Sequence, residues 1–151
     1  MTETYDDQLR CLREEIQRHG ARPTVIDSVL SKLLVHSCDK VSRDLLLLLS
    51  DEAEYEEGMY SLIHAAESAP DEEYILSLLS IFSAIRTSSP RWTSIVTMRV
   101  LNSRPTQLEL ITQLRTASKS VKADVDAVCR RIAEIDPQFL AKTVPVTLAM
   151  R

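Results

Sequence analysis

An all-α fold is what this sequence predicts, and two observations carry the prediction. Glycine is nearly absent. Only Gly20 and Gly58 occur in 151 residues, too few for the turns and close backbone approaches of a β-sandwich or a phosphate-cradling loop fold. Apolar residues recur at helical spacing in segment after segment, among abundant Leu, Ala, Glu and Arg. About eight antiparallel helices with short links are expected, paired as helical hairpins into a short, irregular HEAT-like solenoid or a bundle. The 44% hydrophobic and 26% charged composition suits one soluble domain over residues 1–151, with 137–151 as a C-terminal tail.

The first helix covers 4–19, where Tyr5, Leu9, Leu12 and Ile16 share a face and Gly20 supplies a left-handed C-cap. The second covers 24–36 after Pro23, with Thr24 and Asp27 as a capping box and a broad stripe from Val25 to Leu34. A third runs from about Asp39 to Leu49. Its five consecutive leucines, Leu45–Leu49, cover most of a helix circumference and predict burial on several sides. The fourth, 55–68, turns Met59, Leu62, Ile63 and Ala66 inward and sets Tyr60, His64 and Glu67 together on a flanking face. The fifth, 71–86, follows Pro70 and buries Ile75, Leu78, Leu79, Phe82 and Ile85. Ser89-Pro90 starts the sixth, which runs to Asn102 with Trp92, Ile95, Val96, Val100 and Leu101 inward. A capping box Thr106-Gln-Leu-Glu109 opens the seventh, and the eighth spans about 120–135. Asp136-Pro137 ends it, and Pro145 leaves one helical turn and a loose tail beyond.

Charge is segregated along the chain. Residues 44–85 hold ten carboxylates and no Lys or Arg, whereas residues 86–151 hold eleven basic and five acidic side chains. Such segregation speaks of partners rather than of fold. Three of the four tyrosines, Tyr55, Tyr60 and Tyr74, lie within the acidic stretch. Tyrosine brings rigid area and a hydroxyl to an interface, and surrounding carboxylates steer a cationic partner. The expected partner-binding residues are therefore Asp51, Glu52, Glu54, Tyr55, Glu56, Glu57, Tyr60, Asp71, Glu72, Glu73 and Tyr74. Carboxylates in a first helical turn also complement the helix dipole, which accounts for some of them but not for five in the seven residues 51–57.

Nothing points to catalysis, a cofactor or a metal. HExxH is absent, no nucleophile elbow or glycine-rich loop is present, and His19 and His36 have no ligand-spaced partner. His64 reads as a hydrogen-bonded tie between helices. Cys11, Cys38 and Cys129 form no CxxC and read as reduced core thiols of a cytoplasmic protein. The N-terminus has no apolar signal segment, and no run is long enough to span a membrane. The basic residues after 86 are scattered, which disfavours nucleic acid. Arg99 interrupts the apolar stripe of the sixth helix seven residues after Trp92. It requires a carboxylate partner, for which Glu67 is the candidate, and Arg99→Met is expected to cost ~3 kcal/mol by leaving a buried carboxylate unpaired.

The pattern Met59-Tyr-Ser-Leu-Ile-His64-Ala-Ala-Glu67, Pro90-Arg-Trp92 and Arg99-Val-Leu-Asn102 resembles immunity protein family thirty of bacterial polymorphic toxin systems. The matching positions, Tyr60, His64, Glu67, Pro90, Trp92, Arg99 and Asn102, span about a third of the chain. The resemblance implies a cytoplasmic protein that binds and blocks the C-terminal domain of one cognate toxin, often a nuclease. In that frame His64, Glu67, Trp92, Arg99 and Asn102 hold the scaffold, and variable surface residues carry specificity. A helical scaffold or adaptor unrelated to toxins is the alternative that the hairpin pattern alone allows.

Overall fold

A computed structural model of the protein describes residues 3–36 and 38–151. The described residues form nine α-helices and one 3-10 turn, without strands: α1 Tyr5–His19, α2 Pro23–Leu33, α3 Val41–Leu46, α4 Glu56–Ala66, α5 Asp71–Ser88, α6 Pro90–Asn102, α7 Arg104–Leu114, α8 Lys119–Ile135, the turn Pro137–Phe139, and α9 Leu140–Ala149. The all-α prediction holds, and the buried apolar residues form one cluster running from Leu12 in α1 to Val146 in α9.

α5 is the longest helix and the central one. It packs against α3, α6, α7 and α8 and buries Ile75, Leu78, Leu79, Phe82 and Ile85, the stripe read from its periodicity. α2 lies against α1 and α4, and α9 against α7 and α8.

Several ends differ from expectation for local reasons. Thr4 and Asp7 form a reciprocal capping box on α1. Thr24 and Asp27 do not cap α2, which opens on Pro23 without a side-chain cap. α3 stops at Leu46, and tight turns then point Leu49 inward and leave Leu47 44% exposed. The five leucines are thus not a helix buried all round. α7 starts two residues early, at Arg104. The Thr106 hydroxyl donates to the Val100 and Ser103 carbonyls, and Glu109 accepts from Gln113 rather than closing a capping box. Ser118 rather than Ser120 sets the start of α8, its side chain accepting from the Val121 amide.

The C-terminal stretch is the largest correction. Where one turn and a loose tail are expected, residues 140–149 form a ten-residue helix despite Pro145. Proline removes one amide donor, and the carbonyl this leaves is that of Ala141, which is exposed to water. Phe139, Thr143 and Val146 are buried, and the Gln107 side chain donates to the Lys142 carbonyl at 2.9 Å, so tertiary packing outweighs the breaker. The three cysteines also divide. Cys129 is buried, and burial pushes its thiol up to about 12, whereas Cys11 is exposed and Cys38 half-buried.

Candidate partner-binding face

Both glycines of the chain meet at one place. α1 ends at Gly20, and the corner Gly20-Ala21-Arg22 turns the chain into α2 with φ of 75° at Gly20 and 68° at Ala21. Ala21 is the one non-glycine residue with positive φ among those described, and that conformation costs an L-residue roughly 1–2 kcal/mol. Packing explains why it is held. The Tyr55 amide donates to the Gly20 carbonyl at 2.8 Å. A Cβ on Gly20 would stand 2.6 Å from the Glu54 Cβ, and a Cβ on Gly58 would be driven into the Ala21 carbonyl. The corner and the segment 54–58 are therefore pressed backbone to backbone.

Glu15 fixes the corner from beneath. Its carbonyl accepts from the Gly20 and Ala21 amides, and its buried carboxylate accepts from the Arg22 amide and guanidinium, the shortest bond being 2.6 Å. The Arg22 hydrogen bonds hold the Glu15 carboxyl below the usual carboxylate range, against the opposing effect of burial.

From this corner a seam of side-chain pairs runs between α4 and α6. Glu56 pairs with Arg91, the Tyr60 ring meets the Trp92 ring edge-on at 5.1 Å, and Glu67 holds Arg99 through two bonds of 2.9 and 2.7 Å. Partner numbers rise together, so the two helices run in the same direction. Asp51 crosses from the preceding loop to cap α6, accepting from the Arg91 and Trp92 amides at 3.0 and 3.1 Å. Ser89 occupies the expected N-cap position, but its hydroxyl donates to the Leu49 carbonyl instead. The expected Glu67–Arg99 pair is therefore present. It is half-exposed, with 26% and 31% of the side-chain surfaces in solvent, rather than buried.

The expected partner-binding residues do not make one acidic face. α4 separates them into two groups about 16 Å apart along its axis, from its eleven residues at 1.5 Å each. At its N-terminal end lie Asp51, Glu52, Glu54, Tyr55, Glu56 and Glu57. Asp51 and Glu56 are engaged by α6, whereas Glu52, Glu54 and Glu57 are exposed without a side-chain partner among the described residues, beside a 40% exposed Tyr55. Beyond its C-terminal end Asp71, Glu72 and Glu73 line the exposed first turn of α5. Tyr60 is half-buried on Trp92. Tyr74 is 2% exposed, so as a surface residue it is a correction: its ring belongs to the core stripe of α5.

Nor is the acidic stretch free of cations in space. A cleft of about 1000 Å³ has Asp51, Glu52, Glu54 and Tyr55 on one wall and Arg13, Arg18, His19 and Arg22 from α1 and its corner on the other. A second cleft, of about 450 Å³, lies at the far end of the seam and includes Glu67, Asp71, Tyr74, Arg99 and Asn102.

Among the residues matched by resemblance, Trp92 is buried and Asn102 is exposed, accepting from Lys142. His64 is exposed and makes no side-chain hydrogen bond among the described residues, which corrects its reading as a tie between helices. Sequence reasoning missed Glu15, Ala21 and Arg91. Glu15 carried one readable signal, since it lies beside Leu12 and Ile16 on the apolar face of α1. Ala21 carried none.

Comparison with known families gives the class: the chain is a toxin immunity protein. The model of the family described as Immunity protein 30 matches residues 13–110, and the chain belongs to that family. The match takes in the corner, the loop and the whole α4–α6 seam. No curated protein and no solved structure matches. Among the described residues no helix is long and apolar enough to cross a membrane.

Proposed function

We propose that the chain neutralises the C-terminal domain of a basic, nuclease-like toxin of a contact-dependent or other polymorphic toxin system, in the cytoplasm, through the loop and first turn of α4 at residues 50–57. One observation carries this reading: Glu52, Glu54 and Glu57 are displayed without partners on a segment locked in place by the Gly20–Arg22 corner and by Asp51. Like charges held close together cost stability, so a rigid display of them has a use in attracting cations. A preformed surface also avoids the ordering cost of a flexible loop on binding. Tyr55 supplies an aromatic anchor among them. Family membership replaces the general adaptor reading.

Affinity capture of the tagged protein from its native cells, with partners identified by mass spectrometry, gives the toxin. Glu52→Gln, Glu54→Gln and Glu57→Gln together are expected to slow association roughly tenfold at low salt and to flatten its salt dependence. Unchanged kinetics with the captured toxin would move the interface elsewhere.

A further inference from the structure

The cleft at the far end of the seam holds a polar group that the fold leaves unmatched. The Tyr74 hydroxyl is buried and has no hydrogen-bond partner among the described residues. Tyrosine hydroxyls at such depth normally find one, and leaving one unpaired is costly. The group presents under 1 Å² to solvent and its residue lines the cleft, so an occupant of the cleft reaches it once a lining side chain shifts aside.

The neighbouring polar groups define the chemistry of that occupant. Both Glu67 oxygens are taken by Arg99, the Asn102 oxygen by Lys142, and the Thr106 hydroxyl by two main-chain carbonyls. Donors that remain are the Tyr74 and Ser103 hydroxyls, the Asn102 amide hydrogens and the second guanidinium nitrogen of Arg99. The charged acceptor that remains is the Asp71 carboxylate, which has no side-chain partner among the described residues, and the Ser103 hydroxyl oxygen is a neutral one beside it. Among the lining side chains Arg99 offsets Glu67 and leaves the Asp71 carboxylate, with Lys142 reaching the rim through its bond to Asn102. An anion would meet Asp71, and a cation would meet Arg99. A neutral group that both accepts and donates fits without either conflict.

We propose that this cleft is a receptor for a neutral amide of the bound toxin, a main-chain peptide group or a carboxamide side chain, whose carbonyl accepts from Tyr74 and whose N–H donates to Asp71. The toxin as its source rests on the function proposed above; the amide chemistry of the cleft does not. A standard interface covers ~800 Å² per partner, wide enough to reach along the seam from the acidic loop to this cleft.

The test uses the whole chain with carbon-13-labelled tyrosine, titrated with N-methylacetamide, methylguanidinium or acetate at matched ionic strength. The chain has four tyrosines, and Tyr74→Phe assigns the relevant signal. A saturable shift of Tyr74 by N-methylacetamide is expected, half-complete at ~100 mM, which is what so few atoms can achieve. Asp71→Ala should weaken it by at least ~3-fold. Tyr74→Phe should melt at or above the parent, because its hydroxyl has no partner to lose. No saturable shift, an equal or larger response to either ion, or a lower melting point for Tyr74→Phe would overturn the proposal. With the captured toxin, Tyr74→Phe should weaken binding ~3- to 10-fold. Unchanged affinity there, with the acidic-loop variant still defective, would remove the cleft from the interface and leave the immunity mechanism standing. Capture without any toxin would instead remove the loop mechanism, while the titration still judges the cleft.

Discussion

The two ends of α4 carry similar residues and use them differently. At the N-terminal end, carboxylates hold the protein together. Asp51 caps α6 and Glu56 meets Arg91, while two glycines and a strained alanine press the α1–α2 corner onto the loop. At the C-terminal end the Glu67–Arg99 pair stands beside a cleft with unmatched polar groups. The first end is rigid because backbones touch, and the second because long side chains meet. Backbone contact leaves no room for adjustment, whereas side-chain pairs in partial contact with water can be lost and resolvated.

That difference predicts the largest effect at Gly58. Gly58→Ala drives a methyl group into the Ala21 carbonyl, and neither backbone can retreat because the Tyr55 amide is bonded to Gly20. A loss of about 3 kcal/mol or more is expected, at the upper end of overpacking penalties. Urea denaturation measures it; a loss under ~1 kcal/mol would mean that the corner yields and that the two ends do not differ in stiffness.

Glu15 gives the next effect. Glu15→Gln keeps the shape but removes the charge that the Arg22 amide and guanidinium address, at a cost of ~2 kcal/mol near neutral pH. The pH dependence has a definite sign. The Glu15 carboxyl is held below its ordinary value in the folded chain, so its contribution is complete above the unfolded carboxylate range, near 4.5, and is lost as pH falls through the lower folded value. The gap between parent and Glu15→Gln melting temperatures should therefore close as pH is lowered below ~4. A gap independent of pH would show that the carboxylate's charge does not hold the corner.

Much of this was legible in the sequence, and what was not has physical causes. Helix positions followed from periodicity, and Glu67–Arg99 followed from one charge on an apolar stripe. Both are local patterns whose meaning survives folding. The single acidic face did not survive it, because charge segregation along the chain says nothing about which arginines return in space. Arg91 and the α1 arginines do so from residues forty or so positions away. Gly20 is a helix cap both by sequence and in the fold, but its contact with Glu54 depends on tertiary approach. Tyr74 sits at an interface-like position in sequence, yet it shares the α5 stripe with Ile75, Leu78 and Phe82, and burial prevailed. The α9 helix was hidden by Pro145, whose local cost is outweighed by Phe139 and Val146 in the core.

Arg99 sharpens the contrast from the side of the smaller effect. If its pair with Glu67 were fully buried, Arg99→Met would strand a carboxylate in a dry interior at a cost of ~3 kcal/mol. About a quarter to a third of each side chain reaches solvent, however. Water can then take over the Glu67 oxygens, and the methionine can still cover Val100 and the wall of the cleft. A cost of ~1 kcal/mol is expected, above most exposed ion pairs because two well-aligned bonds are lost together. Measured beside Gly58→Ala, it should be no more than about a third as destabilising. A double-mutant cycle with Glu67→Gln assigns the loss to the pair: coupling near 1 kcal/mol places it there, whereas coupling near zero would mean that Arg99 acts through its hydrocarbon stem alone.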